Sequence, residues 1–233
     1  MNNQFIHRRT KLAENLQSGI AVIPTAKEVV RNKDVHFPYR FDSYFHYLTG
    51  FGEPESVIVI IGGKTPSSIL FCRGKNKEKE IWNGFRHGPE AAKNLLHCDE
   101  AYSIDEIDQI LPQLIENKDA IYTPLGIDSS WDQQIMSWLN QTRSRVREGI
   151  AAPEGLIDVR GMLDEMRLFK DPSELDTMRQ AAKISAEAHV LAMTATKPGK
   201  YEYAIEAEFL YHFKKNGSQF PAYTSIVAGG QNA

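Results

Sequence analysis

Glu208 and His212 stand four residues apart in a helical stretch. That spacing places a carboxylate and an imidazole on one helix face, where the pair could help to hold a metal ion. No second liganding pair accompanies them, so a solvated helix face is the favoured meaning. The run Ile81-Trp82-Asn83-Gly84-Phe85-Arg86-His87-Gly88 gathers an indole, a guanidinium and an imidazole. A Trp in a polar, Gly-flanked loop makes a poor core residue, and such an amphipathic ring suits contact with a ligand or partner. Asp34, in Arg31-Asn32-Lys33-Asp34, is by itself an ordinary turn acid. The sequence contains no Gly-x-Ser-x-Gly turn, no His-Glu-x-x-His, no Cys-x-x-Cys and no phosphate-cradling Gly loop. Gly50-Phe51-Gly52 and Gly62-Gly63 lack dinucleotide spacing and read as turn glycines.

The elements that position these residues follow from periodicity. Residues 4–17 predict a helix with Phe5, Leu12 and Leu16 on one face. Gly19 ends it, and Ile20-Ala21-Val22-Ile23 is a short strand closed by Pro24. The aromatic stretch 35–50 has no clean period. It leads to Val57-Ile58-Val59-Ile60-Ile61, a buried-type strand, and Gly62-Gly63 turns the chain back into Ser68-Ile69-Leu70-Phe71. Ser103-Ile104-Asp105-Glu106 is a capping box ahead of a helical stripe (Ile107, Leu111, Leu114, Ile115). Ala120-Ile121-Tyr122 is another strand. Trp131, Ile135, Trp138 and Leu139 mark a further helix. Strands alternating with helices predict an α/β domain, a mixed sheet flanked by helices, over residues 1–170.

Asp171-Pro172-Ser173-Glu174 is a firm helix start and sets the expected boundary. Two helices, ending near Thr196 and at Gly217, fill most of residues 171–233. The stretch Phe220 to Gly230 predicts an apolar strand running into a Gly-rich turn. An unpaired strand edge is a liability that domains normally avoid, so the chain is expected to break off inside its second domain. A segment of ~60 residues alone buries too small a fraction of its surface for comfortable stability.

With 42% hydrophobic and 24% charged residues and a net charge of −3, the composition is that of a soluble globular protein without a nucleic-acid-binding surface. No run is long enough to cross a bilayer, and the charged first residues, with no apolar stretch behind them, predict no secretory signal. Cys72 and Cys98 are few and widely spaced, which fits half-buried reduced thiols and a cytoplasmic address.

Taken together, the motifs resemble the aminopeptidase P family, the Xaa-Pro aminopeptidases of the creatinase and methionine aminopeptidase superfamily. The resemblance runs in order through Arg8-Arg9, Pro38-Tyr39-Arg40-x-x-Ser43-x-Phe45-x-Tyr47-Leu48-Thr49-Gly50-Phe51, Glu53-Pro54-Glu55 and Glu80-Ile81-Trp82-x-Gly84. It continues in Met166-Arg167-Leu168-Phe169-Lys170-x-Pro172-x-Glu174 and closes with Pro221-x-Tyr223-x-Ser225-Ile226-Val227-Ala228-Gly229-Gly230. The N-terminal set points to the bacterial-type branch.

That resemblance implies an N-terminal α/β domain followed by a pita-bread α+β domain, of which residues 171–233 are the opening. It implies hydrolysis of the bond before proline, a tertiary amide without an N–H that ordinary strand-like recognition cannot grip. It also implies a two-metal centre, usually manganese, built from two Asp, one His and two Glu. None of those ligands matches a residue up to Ala233, so no catalytic or metal-binding residue is assigned in this chain. The resemblance assigns substrate-binding roles to Tyr223, lining the pocket for the N-terminal residue, and to Trp82 and Asp34, which reach a neighbouring subunit's site. A homo-oligomer acting on short Xaa-Pro peptides follows, with no nucleic-acid or membrane partner and no activity in the isolated chain. The rival expectation is a non-catalytic assembly module that pairs with full-length subunits. A prolidase- or creatinase-like substrate is a third, against which the Trp82 loop and the final Ser225 to Gly230 stretch argue.

Overall fold

The computed structural model describes residues 3–233, and the chain divides into two compact units, Met1–Leu168 and Phe169–Ala233. In the first, helix α1 (Asn3–Asn15) leads into strand β1 (Ile20–Pro24) and a small hairpin of β2 (Val30–Asn32) and β3 (Val35–His36). Helix α2 (Ser43–Thr49) precedes β4 (Val57–Ile61) and β5 (Ser67–Cys72). Helices α3 (Lys77–Asn83) and α4 (Gly88–Leu96) follow, then β6 (Glu100–Ser103), α5 (Ile107–Leu114) and β7 (Ala120–Thr123). Helix α6 (Ser129–Ser144), β8 (Gly155–Asp158) and α7 (Arg160–Leu168) complete the unit.

The main sheet has six strands in the order β6-β5-β4-β1-β7-β8. Its centre is antiparallel, β4 pairing with β1 and with β5, and its flanks β5–β6, β1–β7 and β7–β8 are parallel. The apolar runs are continuous because both faces are covered. Alternate side chains of one strand enter opposite layers. Ala21, Ile23, Ile58, Ile60, Leu70 and Cys72 pack with Leu12 and Leu16 of α1, Phe45 and Leu48 of α2, Leu96 of α4 and Leu163 of α7. Ile20, Val22, Val57, Val59, Ile69 and Phe71 pack on the other face with Leu111 of α5 and Ile135, Trp138 and Leu139 of α6. The α/β domain with a mixed sheet flanked by helices is as read from the sequence.

Arg8 and Arg9 of the N-terminal motif are structural. Arg9 is buried and donates to the carbonyls of Leu48 (3.0 Å) and Leu96 (2.6 Å), at the ends of α2 and α4. Arg8 donates to the Tyr47 carbonyl at 3.0 Å and lies over the Tyr47 ring. Carbonyls in a last helical turn lack intrahelical partners, and two arginines on α1 satisfy them. Burial pulls the Arg9 guanidinium below its ordinary value, and the neighbouring Cys98 and Asp99 oppose that shift. Gly62 is needed for close approach: a Cβ there would stand 2.4 Å from the Gln17 carbonyl oxygen. Cys72 and Cys98 are free and buried rather than half-buried. Burial pushes the Cys72 thiol up to about 12 and raises Cys98 as well, so neither is a ready nucleophile.

The second unit consists of α8 (Pro172–Ala195), α9 (Glu202–Lys215) and an irregular segment from residue 216 onward. The Asp171 carboxylate accepts from the Glu174 N–H, and the Glu174 carboxylate accepts from the Asp171 N–H, the reciprocal cap read from the sequence. The two helices pack against each other. Edge contact of the His189 ring on Phe209 and a 3.3 Å approach of His212 Nε2 to Glu187 tie them together.

One expectation fails here. Phe220 to Gly230 forms no strand; the segment is irregular and ends in a short 3-10 turn at Gly230–Asn232. Apolar composition supplies β-propensity, but a strand exists only through a ladder partner, and none lies beside this segment among the described residues. Glu202 at the start of α9 holds its end instead, accepting from the Gly229 N–H at 2.7 Å and from Asn232 Nδ2 at 3.0 Å.

Candidate functional site

The Trp82 region is an arm rather than the polar loop its composition predicts. Residues 74–86 leave the sheet at the end of β5 and return at the start of α4, carrying α3 between. Asn76 caps α3 by accepting from the Lys79 N–H at 2.9 Å, which makes the turn helical despite its charge. The helix buries none of its residues. Ile81 and Phe85 are exposed, and Trp82 is 89% exposed. The three residues that neighbour each other in sequence separate in space: Arg86 is buried, His87 is half-buried and Trp82 faces outward.

The arm is closed at its base. Glu53, buried in the turn after α2, accepts from the His87 backbone N–H at 2.8 Å, and its Oε1 lies 2.6 Å from His87 Nδ1. Its second oxygen accepts from Arg73 Nη2 at 3.4 Å. Just above, Lys75 Nζ lies 3.9 Å from the centre of the Phe85 ring. Gly88 also belongs to this closure: with φ +73° and a Cβ position 2.9 Å from Lys75 Cγ, it admits no side chain without strain. Reading along the chain misses this set, since Glu53, Arg73 and His87 are far apart in sequence. In the sequence Glu53 stands out only as part of the Glu53-Pro54-Glu55 motif that carries the resemblance.

Asp34 lies in the two-residue turn of the β2–β3 hairpin, next to Lys33, whose backbone is left-handed (φ +51°). The hairpin is exposed, with Val30 and Val35 more than half accessible. Tyr223 belongs to the second unit, where it lines a cavity of about 400 Å³ with Ile184, His189, Phe209, Phe213 and Pro221. Asp34 and Trp82 stand on separate exposed elements of the first unit, the β2–β3 hairpin and the α3 arm. Tyr223 stands in the second unit.

Glu208 and His212 do not act as a pair. His212 lies against Glu187 of α8 and Asn216, while Glu208 is exposed. Among the described residues no three His, Cys, Asp or Glu side chains converge as a metal set would require. The residues described here do not fit a metal centre.

Residues 5–122 match the family described as aminopeptidase P, N-terminal domain. The chain belongs to the aminopeptidase P family. Residues 176–233 match metallopeptidase family M24, so the opening of a metallopeptidase domain follows the N-terminal one. The Xaa-Pro aminopeptidase of Escherichia coli is 40% identical over 232 residues, covering 98% of this chain and 53% of the relative. The Xaa-Pro aminopeptidase of Haemophilus influenzae is 38% identical, covering 99% of this chain and 51% of the relative. Aminopeptidase PepP of Pseudomonas aeruginosa superposes with a TM-score of 0.96 at 41% identity, over all of this chain and 53% of that one. The low-pH form of aminopeptidase P from Escherichia coli gives the same TM-score at 39% identity, with the same coverage. The chain spans about half the length of the curated relatives it matches. Its family is one of metal-dependent peptide hydrolases. No helix among the described residues is long and apolar enough to cross a membrane.

Proposed function

We propose that this chain supplies the first half of an Xaa-Pro aminopeptidase, which removes the residue preceding proline from the N-terminus of short peptides. The observation that carries this reading is the match along the whole chain, at 41% identity and a TM-score of 0.96. In this reading residues 1–170 form the N-terminal domain and residues 171–233 open the pita-bread domain. Tyr223 helps to line the pocket for the N-terminal residue, and its place on the wall of the apolar cavity in the second unit supports that role. Trp82 closes over a peptide in a neighbouring subunit of a homo-oligomer, and Asp34 orients it. Both are exposed on projecting elements, as residues serving another molecule must be. A flat indole suits a proline ring, which offers apolar surface but no N–H. Manganese in the complete enzyme and a cytoplasmic setting belong to the same reading. The hydrolytic step requires metal ligands that the described residues do not supply, so the chain alone is expected to be inactive.

The test combines Met1–Ala233 with a separately produced polypeptide carrying the remaining half of the Escherichia coli relative. Release of the first residue from an Xaa-Pro peptide is then assayed with Mn²⁺. Cleavage is expected only when both chains are present, and it should fall on Tyr223→Ala or Trp82→Ala. A complex that forms without cleaving, or cleavage by Met1–Ala233 alone, would overturn the reading.

A further inference from the structure

We propose that Glu53 is a positioning residue, whose single buried carboxylate clamps both ends of the arm and so fixes where Trp82 stands. The inference rests on the reading of Trp82 as a peptide-contacting side chain, but the clamp itself is argued from geometry. Arg73 directly follows Cys72, the last residue of β5, and His87 directly precedes α4, so the two mark the ends of the arm. Glu53 bonds to both, through different oxygens. It comes from a third segment and is itself buried, so it is held by the body of the unit. Charge-assisted hydrogen bonds are the stronger kind, and a buried guanidinium left without its carboxylate is costly.

Above the clamp, Lys75 over Phe85 and the Phe85 ring edge-on to His87 at 4.9 Å continue the closure. Beyond them α3 makes no buried contact that would hold it. Trp82 thus inherits its position from the base of the arm. This is the arrangement expected where an exposed aromatic must keep a fixed place without packing: a rigid stem replaces a core.

The experiment uses Met1–Ala233 labelled with 5-fluorotryptophan, whose three indoles (Trp82, Trp131 and Trp138) give separate ¹⁹F signals. Trp82→Phe assigns the arm signal. In Glu53→Ala the Trp82 signal is expected to leave its position and sharpen to that of a freely moving indole. Trp131 and Trp138, packed at α6 on the far face, keep theirs. Tryptic cleavage after Lys77 or Lys79 should accelerate about tenfold or more as the arm opens. Glu53→Gln, which keeps an acceptor for the His87 N–H, should restore much of the original signal. Should Glu53→Ala not fold, His87→Ala removes the imidazole contact while leaving the backbone N–H bond at position 87 and the Glu53–Arg73 pair, and the same changes are expected in smaller degree. An unmoved Trp82 signal in both variants, or movement of all three signals together, would overturn the proposal. If the clamp signature holds while Trp82→Ala leaves reconstituted cleavage intact, the positioning stands and the peptide-contact reading falls.

Discussion

The two units meet water in different ways. In the first, β1, β4 and β5 are buried on both faces and the helices α1, α2, α4, α5, α6 and α7 cover them. In the second, α8 fully buries only Ile184, Ala188 and Ala192, and α9 fully buries nothing. Val190, Met193, Tyr211 and Ile226 are largely exposed. Caps and the packing of α8 on α9 shape the second unit, but most of its apolar side chains are not enclosed by its own residues. A fold can therefore be locally well specified with only a thin core. The first unit owes its form to a two-faced sheet, the second to its helix ends and one helix-to-helix seam.

The widest test of that contrast compares two aromatic truncations. Trp138→Ala removes a 1% exposed indole that donates to Asp108 at 2.8 Å, and it should cost the first unit about 3–5 kcal/mol. Phe209→Ala in α9 should cost the second unit only about 1 kcal/mol. Hydrogen exchange resolves the units separately, and equal losses would break the comparison. Next in size is Gly62→Ala, which forces a methyl toward the Gln17 carbonyl and should cost about 1–3 kcal/mol, read as faster exchange at the α1–β4 contact. In the second unit Asp171→Ala removes the reciprocal cap and should cost about 1 kcal/mol, confined to the first turn of α8. Loss spreading through the whole of α8 would show that the cap, and not only the hairpin packing, holds the unit together.

The same contrast explains what the sequence disclosed. Val57 to Ile61 and Ile20 to Ile23 were legible because a strand covered on both faces must be apolar throughout. The α6 stripe and the Asp171-Pro172-Ser173-Glu174 start were legible because each is a local rule. Helix α2 was not: an aromatic run without period becomes helical through the Asp42 cap and the left-handed Gly50 that ends it. Strands β6 and β8 are short and partly exposed, so they carry little hydrophobic signal. The arm has the sequence of a loop because its helix has no buried face to impose a stripe. Phe220 to Gly230 has the sequence of a strand because composition reports propensity and cannot report a partner. Of the candidate site, Trp82 was legible as an exposed aromatic, but the Glu53 clamp beneath it was not. Its three members meet only through sheet topology.

The smallest expected effects are electrostatic and again separate the units. Lys27 and Ser130 hold the Asp128 carboxyl at about 2, and Asp128 caps α6. Bonds from Asn232 and then Gly229 hold Glu202 below the ordinary glutamate range. Both folded-state values are depressed. Each contribution is therefore present above the unfolded pKa and is lost as pH falls through the folded one. For Asp128 that window lies between about pH 4 and pH 2, and its loss frays one turn of a helix whose apolar face remains packed. For Glu202, protonation turns a charged acceptor into a weaker neutral one, loosening the bonds that tie Gly229 and Asn232 to α9, and few other contacts keep that turn in place. Acid titration followed at the amides should show Ser130 moving with little change around it, while the Gly229 amide moves together with its neighbours. Glu202→Gln should abolish the second transition and leave the first. If Gly229 stays ordered after Glu202 is protonated, the second unit has a source of order beyond its helix ends and that seam, and the contrast drawn from burial is too sharp.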